Sequence, residues 1–108
     1  MKLREIERDD VGVITIEKPK AATKQPPMYD VLIHNDDYTH AEFVIDVLQK
    51  FFEKSLQGAI QFMLHVHKSG MGVIGTYPKD VAETKAQAAM NYARAHEHPL
   101  YLTVEPRG

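Results

Sequence analysis

Residues Met28–Phe52 read MYDVLIHNDDYTHAEFVIDVLQKFF, and the change of pattern inside that run decides the fold. Val31, Leu32 and Ile33 are apolar, and two of them are β-branched, which predicts a short and largely buried strand. Asn35, Asp36 and Asp37 end it, because their side chains bond to nearby backbone and accept turn geometry. Thr39 with Glu42 three residues on is the pattern of a capping box, so a helix is predicted to start at Thr39. Val44, Val47, Leu48 and Phe51 then recur at helical spacing and face a core, while Asp46, Gln49 and Lys50 face water.

Downstream, EKSLQGAIQFMLHVHKSG places Leu56, Ala59, Ile60, Met63, Leu64 and His67 on one helical stripe, with Ser55 as N-cap and Gly70 as the stop. Met71–Tyr77 has β-branched and aromatic residues between glycines and reads as a second strand. Pro78 is expected to open a third helix running to about His96. Its packing face should carry Val81, Lys85, Ala88, Ala89 and Tyr92, and Asp80 and Glu83 sit at the positive end of its dipole. His98-Pro99 ends that helix, and Leu100–Val104 is a third strand. The order βααβαβ predicts an α+β domain, with an antiparallel or mixed three-stranded sheet carrying three helices on one face.

Upstream, charges of both signs crowd MKLREIERDD, and KPKAATKQPP has nothing to bury, so residues 1–27 read as a flexible extension and residues 28–106 as the folded domain. VGVITI, within that extension, has no strand partner in the sequence and is taken as unstructured or as a docking segment. The chain has 108 residues, enough for one domain with a real core. A formal net charge of −2 leaves no general footprint for nucleic acid or an anionic membrane. Without cysteine there is no disulfide, thiolate metal site or cysteine nucleophile, which fits a reducing compartment. No apolar run approaches the roughly 20 residues of a membrane span. A soluble cytosolic protein is expected.

Few residues could carry chemistry. His65 and His67 lie about 200° apart around a helix and cannot share a metal. His96 and His98 straddle a helix end, where a cation complements the dipole. Ser55 and Ser69 lack the strained elbow of a hydrolase nucleophile. His67 is different, since its stripe turns it inward or to the rim of a pocket. As a core residue it would be satisfied by backbone; as a functional one it would work with Asn35, Asp36 and Asp37. An amide oxygen, carboxylates and a neutral imidazole are all acceptors and together suit an ammonium group. Beside Met63 and Val66 they would form an acceptor cluster at the mouth of an apolar hole, as a free α-amino group followed by a bulky side chain requires.

Several runs resemble the ClpS adaptor family: Met28-Tyr29, Asn35-Asp36-Asp37-Tyr38-Thr39, Glu42 to Phe52, Met63-Leu64-His65-Val66-His67, Val81-Ala82-Glu83-Thr84-Lys85, and Tyr92-Ala93-Arg94 with His96-Glu97-His98-Pro99-Leu100. They fall in family order over about residues 28–105 and leave the N-terminal extension unmatched. The resemblance implies a non-catalytic, monomeric adaptor of the bacterial cytoplasm, without cofactor or metal. Such an adaptor binds substrates that begin with Leu, Phe, Tyr or Trp and hands them to a AAA+ Clp unfoldase of the ClpA or ClpC type. It implies that Asn35, Asp36, Asp37 and His67 hold the substrate α-amino group and that Ile33, Thr39, Val44, Met63, Val66 and Leu100 line the side-chain pocket. It implies further that Asp80, Glu83 and Lys85 meet the unfoldase N-domain, that the N-terminal extension acts in handover, and that the fold is like the C-terminal domain of the ribosomal stalk protein. Ala41 stands where the family usually has a gatekeeping Met, and His40 where Pro is common, so the side-chain preference is expected to broaden. Two other readings remain, an interaction domain that shares only the fold and a small hydrolase using His67 with an Asp.

Overall fold

The computed structural model describes residues 26–107 of the chain. Strand β1 (Met28–His34) leads into helices α1 (Ala41–Phe52) and α2 (Leu56–Ser69). Strand β2 (Met71–Pro78), helix α3 (Lys79–Ala95) and strand β3 (Tyr101–Pro106) follow. This is the expected βααβαβ order. The expectations for the N-terminal extension, including VGVITI, fall on residues 1–25 and lie outside the described residues.

The sheet has the order β2-β1-β3, and both pairings are antiparallel, so no mixed sheet forms. With β1 in the centre, its apolar run is covered on both sides. Val31 and Ile33 join the core beneath the helices, whereas Leu32 points to the other face, between Val73 and Thr103 of the flanking strands, and is still only 4% exposed. The register slips between Val31, opposite Gly75, and Leu32, opposite Val73. Ile74 is the extra residue of this bulge and drops into the core.

The helices cap largely as their sequences dictate. Ser55 accepts from Gly58 N–H at 3.0 Å, and Gly70, at φ 92°, closes α2 with its own N–H on Val66 O. Pro78 is the N-cap of α3, so the helix starts at Lys79, one residue later than expected. Two packing faces are rotated from the expected ones. In α3 the buried stripe is Ala82, Ala86, Ala89 and Ala93, while Val81 is 41% exposed. Methyl-sized side chains at these positions let the helix axis approach the sheet closely, and that closeness decides which face turns inward.

In α2 the buried residues are Ala59 and Val66, with Phe62 packed against the core, whereas Leu56 and Leu64 stay exposed. The cause lies on β2. A Cβ at Gly72 would stand 2.9 Å from Phe62 Cζ and 3.1 Å from Val66 Cγ2, so any larger residue would push the Phe62 ring and this face of the helix outward. Turning Val66 inward leaves the neighbouring His67 exposed, so it is not a core histidine.

Replacing Gly72 by Ala should therefore lower stability by about 1–3 kcal/mol, the usual cost of overpacking. Urea denaturation of Gly72→Ala measures it, and an unchanged midpoint would mean that α2 does not rest on this strand.

Candidate functional site

The sharp corner between β1 and α1 is built by one side chain. Asp36 accepts from the Tyr38 N–H at 2.8 Å and the Thr39 N–H at 2.7 Å through Oδ1, and from the Thr39 hydroxyl at 2.8 Å through Oδ2. The capping box expected from Thr39 and Glu42 is therefore absent. The Thr39 hydroxyl is spent on a carboxylate, the stronger acceptor, and the helix starts later, with His40 as an N-cap that makes no side-chain bond. Glu42, in the first turn, still complements the helix dipole.

A second tie brings the end of α2 to this corner. Gly70 O accepts from Asn35 N–H at 2.9 Å, which fixes Asn35 relative to the last turn of α2, where His67 sits. Between these elements lies a cavity of about 250 Å³. Asn35, Asp36, Asp37, Thr39 and His67 supply its polar lining, and Ile33, Ala41, Val44, Met63 and Val66 its apolar wall. Ligand cavities usually span about 300–1,000 Å³, so this one suits a group no larger than a single bulky side chain.

The acceptors are not equivalent. Asp36 is engaged inside the turn, while Asp37 and His67 are exposed, and neither side chain makes a hydrogen bond among the described residues. Asp37, His67 and the Asn35 amide are therefore available to a ligand.

Leu100, expected in the pocket, is not among its lining residues. It is 1% exposed and belongs to the core immediately before β3. His34 lines the cavity and was not expected there. Strand alternation carries its signal: with Ile33 facing the helices, His34 turns to the open face, where Nε2 meets Thr103 Oγ1 at 2.8 Å and the ring tilts against Tyr101. Among the described residues no group of His and carboxylates is arranged to hold a metal ion, and no helix is long and apolar enough to cross a membrane.

Asp80, Glu83 and Lys85 lie on the first turns of α3, at the other end of the molecule. The register sets His34, next to the cavity, opposite Met71, and Met28 opposite Pro78, which precedes α3. Six residue steps of strand separate these ends by about 20 Å. Asp80 and Glu83 are exposed. Lys85 is half-buried, donates from Nζ to Phe51 O at 3.0 Å, and lies over the Tyr77 and Phe52 rings. It holds a carbonyl at the carboxyl end of α1.

A small α+β domain with a cavity that is apolar inside and rimmed by acceptors unpartnered among the described residues is built to hold a ligand group. The model of the family described as "ATP-dependent Clp protease adaptor protein ClpS" matches residues 24–103. The ClpS adapter of Phenylobacterium zucineum is 54% identical over 94 residues, covering 87% of this chain and 84% of that protein. That of Rhodospirillum centenum is 50% identical over 99 residues, covering 92% and 90%. A solved structure, Agrobacterium tumefaciens ClpS2 bound to L-phenylalaninamide, is 37% identical with a TM-score of 0.75 and covers 77% of this chain and all of that one. The chain belongs to the ClpS family of adaptors for the ATP-dependent Clp protease.

The two aspartates should separate in a stability measurement. Asp36→Ala removes the acceptor of three bonds and should lower stability by about 1–2 kcal/mol, as the loss of a capping side chain does. Asp37→Ala should stay within about 0.5 kcal/mol of the parent. Equal urea midpoints for the two variants would show that Asp36 does not hold the corner.

Proposed function

We propose that this chain binds the free N-terminus of polypeptides that begin with a bulky hydrophobic residue and delivers them to a AAA+ Clp unfoldase, without catalysing any reaction itself. One observation carries the reading: free acceptors, Asn35, Asp37 and His67, open onto the same cavity as the apolar wall of Ile33, Val44, Met63 and Val66. A protonated α-amino group donates to the acceptors while the first side chain fills the hole. Asp36 contributes by fixing the turn that presents Asn35 and Asp37, in place of a direct contact. The ligand of the Agrobacterium tumefaciens relative has the matching parts, since L-phenylalaninamide carries a free amine, an apolar side chain and an amide where the next peptide bond would be.

Delivery requires a second surface that a bound substrate leaves open. The first turns of α3 meet that requirement, at the opposite end of the strands from the cavity. Asp80 and Glu83 would contact the unfoldase N-domain directly, and Lys85 would support that surface from within while its ammonium stays on Phe51 O. The hydrolase reading loses its basis, since among the described residues no Asp or Glu bonds to the His67 ring.

A labelled peptide starting with Leu should bind in a fluorescence anisotropy titration, and its N-acetylated twin should not. In Asp37→Ala the Leu peptide should weaken by about 1.5–3 kcal/mol, the value of a hydrogen bond to a charged group. Equal binding of the acetylated peptide would rule out amine recognition.

Ala41 lines the cavity at the start of α1, where a helix N-terminus anchored by Asp36 cannot move in to fill space. A side chain branched at Cβ should therefore be admitted. In a panel of peptides differing only in the first residue, Ala41→Met should raise the preference for Leu over Ile by about 1–3 kcal/mol. An unchanged preference would take position 41 away from the pocket mouth.

A further inference from the structure

The corner that carries the cavity is gripped from two directions. On the strand side Asp36 holds Tyr38 and Thr39. On the far side the first turn of α1 rests on the loop between α3 and β3. The Phe43 ring stacks on His98 with centroids 4.2 Å apart and 28° between planes, and His40 meets the same imidazole edge-on at 5.3 Å.

His98 is itself immobilised. Its N–H donates to Ala93 O at 2.9 Å, and its carbonyl accepts from Arg94 Nη1 at 3.0 Å, a nitrogen that also donates to Leu100 O at 2.8 Å. The backbone of His98 is thus fixed at the end of α3, and its imidazole forms a plate against Phe43 and His40. The turn that leans on it is held as well by Asp36 and by the Phe43 ring against Tyr92 at 5.3 Å and His96 at 5.7 Å, while His40 makes no side-chain cap.

We propose that His98 is a positioning residue for the pocket. Through Phe43 and His40 it sets how far the start of α1, with Ala41 and Val44, stands from the opposite wall of Ile33 and Met63, and so sets the width offered to a substrate's first side chain. This rests on the reading of the cavity as the N-terminal-residue pocket. His98, His40 and Phe43 are absent from the cavity lining, so they act through Ala41 and Val44 and touch no ligand. Removing the plate lets the first turn move outward. An unbranched Leu side chain then loses wall contact, while a β-branched Ile gains room. The ratio of the two affinities is the informative quantity, because a general loss of the folded, competent state lowers binding of every ligand by the same factor.

The test titrates two labelled peptides, identical except for Leu or Ile at the first position, against the full chain and its His98→Ala, His98→Phe and His40→Ala variants, with thermal melts alongside. In His98→Ala the Leu-to-Ile affinity ratio should fall about three- to tenfold, the scale of one lost aromatic pair. His98→Phe keeps a flat ring against Phe43 and should restore the ratio. His40→Ala, at an exposed position that leaves the core intact, should shift the ratio in the same direction by a smaller factor, and it carries the test if His98→Ala does not fold. A ratio that stays constant across the variants, or a phenylalanine that restores nothing, overturns the proposal. A parent chain that fails to bind the Leu peptide overturns the pocket reading and this proposal together, whereas binding with a His98-insensitive ratio overturns this proposal alone.

Discussion

Three hydrogen bonds converging on the Asp36 carboxylate convert a buried strand into a helix within a few residues. Without them, the backbone donors of Tyr38 and Thr39 would need water or another acceptor, and the direction of α1 relative to β1 would be set by packing alone. Everything at the cavity follows from that direction. The helix brings Ala41 and Val44 over Ile33, and the turn leaves the side chains of Asn35 and Asp37 without hydrogen bonds among the described residues. Of the two adjacent carboxylates at the cavity, Asp36 is bonded within the turn and Asp37 makes no hydrogen bond among the described residues.

α3 ties α1 down along its length. Lys85 donates to Phe51 O near one end, and the Tyr92 hydroxyl donates to Asp46 at 2.6 Å in the middle. That bond, together with burial and the carboxylate's charge, raises the Tyr92 phenol above its ordinary range, which keeps it a donor throughout the neutral range. Between these ties the helices meet through small side chains and stacked rings.

The order of elements was legible because each boundary carries a local cause: the acidic turn, Ser55 and Gly70 around α2, and Pro78 before α3. What was not legible depends on contacts between segments remote in sequence. The inward face of α2 fits against Gly72 on another strand, and that contact leaves His67 at the cavity rim, one of the two placements its stripe allowed. The face of α3 is chosen by how closely alanines approach the sheet, so hydrophobicity alone pointed one position away. Around the cavity, Asn35, Asp37, Thr39, Ala41 and Val44 belong to one continuous stretch whose geometry is local. Leu100 comes from a distant loop, and its side chain is taken by the core. That Asp36 also builds the turn was not legible, because a sequence does not show which oxygens the turn itself engages.

The central strand is the first element of the described fold, yet one of its partners is the last. His34 meets Thr103, 69 residues further along the chain, and β1 pairs with Tyr101–Pro106 over its whole length. At synthesis rates of about 5–20 residues per second, that gap corresponds to roughly 3–14 s. Until the final strand emerges, β1 has one unpaired edge and the cavity floor lacks half its support. Completion of the sheet under the cavity is therefore a late event in the life of a nascent chain, and a ribosome stalled before Tyr101 would present an unpaired strand edge in place of the closed sheet.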